Sequence, residues 1–324
     1  MRRREAIAVL LALGAGAPLG LRAQQPVRRY RVGVLLPLAE GAALRLSAIR
    51  EHLAAQGFVE GRNLALDVRY ARTDVDAARD LVALKPDAIL AVAAAAAQAA
   101  QVETKSVPIV FAWVPDPVLS GLVKDYARPG GNITGVTNRY YELAVKRLEL
   151  LRDLLPAAKR VAVAGGLFDP ASQTALRFAR QAAQRLGFEL IVRSRTDWDW
   201  MNDVQAAAAA GAQAMFVLNS YAIRGDRFEA ANGIRAAAQA RMPAVFADTE
   251  TVEMGALMSY ATNLNDDLKR AIDLMVQVLK GRRPSEIPVE QASRFELAVN
   301  LKTAKALGLK IPQSILLRAD RVIE

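Results

Sequence analysis

The sequence predicts an α/β protein built as two doubly wound lobes, and three observations carry that prediction. Short apolar runs rich in Val, Ile, Leu and Phe recur along the chain, as parallel strands covered on both faces require. Segments with apolar residues at helical spacing lie between them, and this strand-helix series starts afresh in the second half. About 300 residues follow the N-terminal leader, more than a single core usually organises.

The leader comes first. Arg2, Arg3 and Arg4 precede an apolar run from Ala6 to Leu13, then small residues and Pro18, then Ala23 before Gln24. That is the charged, hydrophobic and cleavage order of a secretory signal. The apolar run is shorter than the roughly 20 residues a membrane span needs. Residues 1–23 are therefore expected to be a signal peptide cut near Ala23, and the protein to be periplasmic. The RRREAI start also resembles a twin-arginine signal, with Ala6 where a bulky apolar residue is usual, so the export route stays open.

From Tyr30 the elements follow in order. YRVGVLL (30–36) reads as a strand, 40–56 as a helix stopped by Gly57, LALDVRY (64–70) as a strand and 74–84 as a helix. DAILAV (87–92) is the third strand, the alanine-rich 94–104 a helix, and PIVFAW (108–113) the fourth strand. A turn at Pro129-Gly130-Gly131-Asn132 separates the second series. Its helix 140–155 carries the stripe Ala144, Leu148, Leu151, Leu155. RVAVAG (160–165), FELIVR (188–193), AMFVLN (214–219), PAVFAD (243–248) and MGALMSYA (254–261) read as strands, with helix 170–186 after the first of them. Helix 264–280 buries Leu264, Leu268, Ile272, Met275 and Leu279 and ends at Gly281; RFELAVN (294–300) is a late strand, followed by a short helix closed by Gly308.

Composition removes several chemistries. Zero cysteines exclude disulfides, thiolate metal sites and a thiol nucleophile. The single histidine, His52, lies beside the stripe Leu46, Ile49, Leu53 and reads as a surface helix residue. The formal charge of +10 falls to +7 without the leader, and the basic residues are scattered rather than clustered with aromatics. No nucleic-acid partner is expected. Gly14, Gly16 and Gly20 mimic a phosphate loop but lie in the leader without a preceding strand, and Asn132-Ile133-Thr134 is a glycosylation triplet with no meaning in a bacterial source.

In sheets of this kind ligands bind beyond the carboxyl ends of the strands. Those loops hold Leu38 and Ala39 after the first strand, Ala94 and Ala95 after the third, and Trp113-Val114-Pro115-Asp116-Pro117 after the fourth. In the second half they hold Gly165 to Asp169, including Phe168, then Asn219-Ser220-Tyr221, then Asp248-Thr249-Glu250. These are small, aromatic and hydrogen-bonding groups, the mixture of an apolar pocket with a few placed polar ones. No loop pairs a nucleophile with a base, and no G-x-S-x-G elbow is present. Asp116, Asp169 and Asp248 read equally as helix caps or as ligand contacts.

Taken in order, GVLLPLA, GFVEGRNL, LVALKPDAIL, PIVFAWVPDPVLSGLV, ARPGGNITGVTN, GALMSY, LKGRRPSEIPVE and FELAVNLKTAKALGLKIPQSILLRADRVIE cover nearly all of the chain after the leader. This set resembles the ABC-transporter substrate-binding family that includes tryptophan- and tyrosine-binding lipoproteins. The resemblance implies a type I periplasmic-binding-protein fold: two lobes, three crossovers and a solute caught in a hinged cleft. It implies delivery of a small solute (amino acid, aromatic acid or similar) to an inner-membrane ABC permease, and a monomer without cofactor or catalytic activity is expected. Two departures bear on the solute. Gly41-Ala42-Ala43 replaces the Glu- or Gln-rich start usual for the first helix, and Ala93-Ala94-Ala95 replaces a common Gly-Thr-Pro. The alternatives are a ligand sensor for a membrane receptor and a secreted α/β enzyme.

On this reading lobe 1 comprises 27–136 with 260–286 and lobe 2 comprises 137–259 with 287–324. The hinges are expected near Thr134–Asn138, Ser259–Asn263 and Ile287–Glu290. The expected solute contacts are Leu38, Ala39, Ala94, Ala95, Val114, Asp116, Tyr140, Phe168, Asn219, Ser220 and Asp248. Tyr140, just past a hinge, is expected to cover the solute with its ring. Asp116 or Asp248 would meet a cationic or hydroxyl group, and the helix start at Ala94–Ala95 an anionic one.

Overall fold

The computed structural model describes residues 28–37, 42–70, 75–165, 170–192, 199–218 and 227–324. The first sheet is parallel throughout and has the order β11-β5-β4-β3-β1-β2. Its strands are β1 (Tyr30–Leu36), β2 (Leu64–Tyr70), β3 (Ala88–Val92), β4 (Ile109–Val114), β5 (Ile133–Thr137) and β11 (Glu290–Gln291). Period-two alternation sends Val32, Val34 and Leu36 into one core and Leu35 into the other. The first core is closed by α1 (Ala42–Ala55) and α9 (Leu264–Leu279), the second by α2 (Val75–Ala83) and α3 (Ala94–Glu103). Helix α3 is alanine-rich where it is buried, at Ala96, Ala97, Ala99 and Ala100, so it packs close to its neighbours.

The second sheet has the order β13-β12-β10-β9-β8-β6-β7 and is parallel except where β12 runs against β10. Its strands are β6 (Arg160–Ala164), β7 (Glu189–Val192), β8 (Ala214–Val217), β9 (Ala244–Phe246), β10 (Met258–Thr262), β12 (Phe295–Asn300) and β13 (Arg321–Ile323). Ala214 and Phe216 join the core under α4 (Tyr140–Leu154) and α5 (Pro170–Leu186). Met215 and Val217 face α6 (Trp200–Ala209) and α7 (Arg227–Gln239) instead. Short helices α8 (Glu250–Glu253), α10 (Leu301–Ala306) and α11 (Gln313–Leu316) complete this lobe.

The strands and long helices match the periodicity reading, with differences where chain connections decide. Of the hinge expected near Thr134–Asn138, Thr134 to Thr137 lie in strand β5 (Ile133–Thr137), paired with β4 from Ile109 opposite Ile133. Its β-branched Ile133, Thr134, Val136 and Thr137 suit a buried strand, and Gly135 permits close approach to Phe111. Strand β10 starts at Met258 rather than 254, because α8 and Gly255, at φ 110°, turn the chain first.

Strand pairing also moves the lobe boundaries from those expected. Thr137 belongs to the first sheet, and Tyr260 to Thr262 belong to the second through pairing with β12. Ile287 and Val289 pack in the first lobe's cores, and Thr134 Oγ1 donates to the Ile287 carbonyl at 2.8 Å. The chain therefore crosses at Asn138–Arg139, at Asn263 and at 292–294. Strands β5 and β10 leave by their carboxyl ends, and β12 enters with Phe295 opposite Thr262. All three crossings thus join the carboxyl edges of the two sheets. The crossings also touch one another: Ala292 N–H donates to Thr137 O at 2.9 Å, and Asn263 Nδ2 to Glu296 Oε1 at 2.9 Å.

Candidate functional site in the interlobe cleft

The loops on these carboxyl edges carry unusual backbone. Among the described residues, five that are not glycine have positive φ. Lys85 and Arg241 follow α2 and α7, where a left-handed residue is an ordinary helix ending. The other three, Ala93, Trp113 and Arg139, stand at the ends of β3, β4 and β5. Ala93, at φ 75° and ψ 161°, occupies a region almost reserved for glycine. Such strain costs of order 1–3 kcal/mol per residue and persists where surrounding structure over-determines it.

Trp113 shows how that happens. The register of β4 against β5 shifts between Ala112 and Val114, a bulge that re-aims the indole. Its Nε1–H donates to the Leu264 carbonyl at 2.9 Å, tying the end of β4 to the start of α9. Arg45, half-buried in the first turn of α1, places its guanidinium 5.5 Å from the Trp113 ring. Burial lowers the Arg45 pKa, and the charge of Glu250, across in the second lobe, opposes that shift.

The expected contacts divide as follows. Leu38, Ala39, Phe168, Asn219 and Ser220, with Asp169, lie outside the described residues. Ala94 and Ala95 begin α3 at the strained Ala93, half-buried. Val114 is fully buried, and its carbonyl accepts from Asn138 N–H at 3.2 Å. Asp116 serves as a cap: its Oδ1 accepts from Val118 and Leu119 N–H at 3.0 and 2.9 Å. It also bonds Tyr126, whose phenol pKa is pushed up by burial and by the Asp116 charge. Tyr140 differs most from expectation. Its ring is 9 % exposed, packed beside Tyr141, and its hydroxyl donates to the Leu218 carbonyl, so in this arrangement it belongs to the second lobe's core under α4 and α5. Asp248 is buried at the end of β9, with its carbonyl accepting from the Thr251 hydroxyl.

Four further residues belong to this edge. Asn138, on the first crossing, is 3 % exposed, and its Oδ1 has no hydrogen-bond partner among the described residues. Thr249 Oγ1 is in the same condition beside Asp248. Arg45 escaped the sequence reading because nothing distinguishes it from a solvated helix cation. Arg147 did leave a signal, since it stands three residues beyond Ala144 and four before Leu151, on the apolar stripe of α4. It is 1 % exposed, between the rings of Tyr140 and Phe216 at 5.6 Å each. Burial lowers its pKa, opposed by Tyr140 and Asp248. Its Nε and Nη2 have no partner among the described residues.

A concavity of about 560 Å³ lies beside the second and third crossings, lined in part by His52, Asn263, Asp267, Arg270, Glu290 and Arg294. Its charges largely satisfy each other, with Arg270 on Glu290 at 2.7 Å and His52 Nε2 on Asp273 at 2.8 Å. His52 is thus a half-buried partner of α9 rather than a freely solvated residue. Among the described residues no group of three His, Cys, Asp or Glu side chains is placed to hold a metal ion. No described helix is long and apolar enough to cross a membrane.

Comparison with known proteins agrees with this geometry. The tyrosine-binding protein of Clostridioides difficile (strain R20291) is 26 % identical over 262 residues, covering 80 % of this chain and 74 % of that protein. The Streptococcus pneumonia ABC domain in complex with L-Trp is 26 % identical, covers 91 % of this chain and 100 % of its own, and superposes with a TM-score of 0.77. The ligand-free, open structure of a substrate-binding protein with adhesive properties from Clostridium difficile is 25 % identical over 91 % of this chain and 99 % of that one, with a TM-score of 0.68. The fold is that of type I periplasmic binding proteins. The model of the family described as ABC transporter substrate binding protein matches residues 31–323, and the chain belongs to that family.

Proposed function

We propose that this protein captures a small amino acid or related aromatic acid between its carboxyl edges and hands it to an inner-membrane ABC permease after export to the periplasm. The observation that carries the binding site is the concentration of strained backbone, at Ala93, Trp113 and Arg139, on one edge together with the buried polar groups of Asn138 and Asp248. A rigid scaffold that holds such groups away from water is suited to orienting a solute. The relatives' tyrosine and L-Trp support the solute class. At nearly equal identity and coverage, the chain superposes better on the L-Trp complex than on the ligand-free, open structure, which supports an arrangement near the closed one. Closure is a rigid-body rotation about Asn138–Arg139, Asn263 and 292–294. Asp248 would take a cationic group, and the helix start at Ala94–Ala95 a carboxylate.

A thermal-shift screen of the protein starting at Gln24, against amino acids, aromatic acids and nucleobases, tests this. A solute at 100 times its Kd adds about 2.7 kcal/mol to stability, a readily measured rise in Tm. The expected result is a rise with an amino acid or aromatic acid and none with nucleobases. A screen in which no amino or aromatic acid raises Tm, with calorimetry equally silent, contradicts the proposal. Mass spectrometry of protein from its native host should find an N-terminus near Gln24; an intact Met1 would overturn the export step.

A further inference from the structure

We propose that Arg45 and Glu250 form an interlobe charge pair that draws the two carboxyl edges together over the cleft whether or not a solute is bound. Helix α1, which carries Arg45, leaves the carboxyl end of β1 in the first lobe. Helix α8, which begins at Glu250, leaves the carboxyl end of β9 in the second. The three crossings join these same edges, so the two helix starts stand on opposite walls of one cleft. The inference rests on the lobe closure proposed above and not on the solute's identity.

Arg45 is held on its own wall of the cleft. The guanidinium of Arg45 lies over the Trp113 ring, and Trp113 is itself fixed by its bond to Leu264 O and by the β4 bulge. Withdrawal into solvent would lose that stacking, so the cation stays on the wall. On α8, the carboxylate of Glu253 is paired with Arg321, towards the far edge of the second sheet. Glu250 is exposed at the start of α8, and its negative charge opposes the lowering of the Arg45 pKa by burial.

An exposed pair of this kind contributes little to folding stability. Closure, however, divides two states separated by only a few kcal/mol, so a modest attraction changes their populations several-fold. Opening separates the charges and admits water, and dissolved salt screens what remains of the attraction.

The chain has no cysteine, so spin labels can be placed without background thiols. Gln98→Cys on α3 and Gln173→Cys on α5 are exposed helix positions, one in each lobe. Double electron–electron resonance of the solute-free protein then reads the interlobe distance for the native pair, Arg45→Glu, Glu250→Arg and the double reversal. Each single reversal should cut the short-distance population about two- to five-fold, the range open to an exposed pair. The double reversal should restore it, and added salt should weaken the native short-distance population. The idea is overturned by single reversals that leave the distribution unchanged, by a double reversal as open as the singles, or by a native protein with no short-distance population. Should a reversal fail to melt cooperatively, Arg45→Gln and Glu250→Gln replace it, with the same direction expected and the same absence of effect overturning the pair. A silent solute screen would defeat the solute assignment and leave this readout intact.

Discussion

Asp267 sits in the first turn of α9, hydrogen-bonded to Thr262 at the second crossing, with Oδ2 buried and without a partner among the described residues. Burial raises its pKa to about 7, outweighing the bond from Thr262 that favours the ionised form, and Asp266 adds repulsion. Between the ordinary carboxylate range and about pH 7, the folded protein holds a proton that the unfolded chain has lost. Stability therefore falls as pH rises through that window and levels off above it. Asp267→Asn removes the charge and keeps a group able to bond Thr262. Its Tm should match the parent near pH 4 and exceed it increasingly up to pH 7. The gain should reach a few kcal/mol, since each tenfold difference in proton affinity between the folded and unfolded states is worth about 1.4 kcal/mol. Equal pH profiles for the two proteins would rule this out. Single-residue roles are the least legible from sequence. Asp116, between Pro115 and Pro117, reads equally as cap or contact, and the structure shows the cap bonds. Tyr140, which reads as a lid beside a hinge, carries its ring into the core, because its helix places it on the face shared with Ala144 and Leu148.

At the scale of elements, long periodic segments are legible and short edge pieces are not. The runs that form β1, β3 and β4 are apolar on both faces because both faces are covered, and such runs stand out. The two-residue β11 and the half-exposed β13 carry no pattern of their own, since they exist through pairing with β5 and β12. Strand β5 is hidden by the turn before it and by Gly135. That glycine has a structural reason: a Cβ there would sit 2.2 Å from the Phe111 carbonyl oxygen and 2.5 Å from its ring. Gly135→Ala must push β5 off β4 next to the first crossing. It should cost about 3 kcal/mol or more in denaturant unfolding, at the upper end of overpacking effects. A loss below about 1 kcal/mol would mean that β4 and β5 are less rigidly coupled than the pairing implies.

For the whole molecule, sequence order and crossover geometry together define one cleft. Family membership and the two-lobed architecture are readable from motifs spread over the chain. The boundaries are not, because the residues that decide them, Tyr260 to Thr262 and Ile287 to Gln291, differ in sheet partner rather than in composition. The expected contacts rest on position at strand ends, where Ala94, Ala95, Val114 and Asp248 stand. The polar groups that complete the edge, Asn138 and Arg45, become visible only once the crossing and the Trp113 bulge are placed. The central claim is that the solute sits between the carboxyl edges and not in the concavity beside the second and third crossings. Hydrogen exchange followed by mass spectrometry, with and without the solute that most raises Tm, tests it most directly. The account predicts slowed exchange at 93–97, 113–119, 138–140 and 248–252, drawn from both lobes. Protection confined to 263–273 and 290–294, or to one lobe alone, would contradict it.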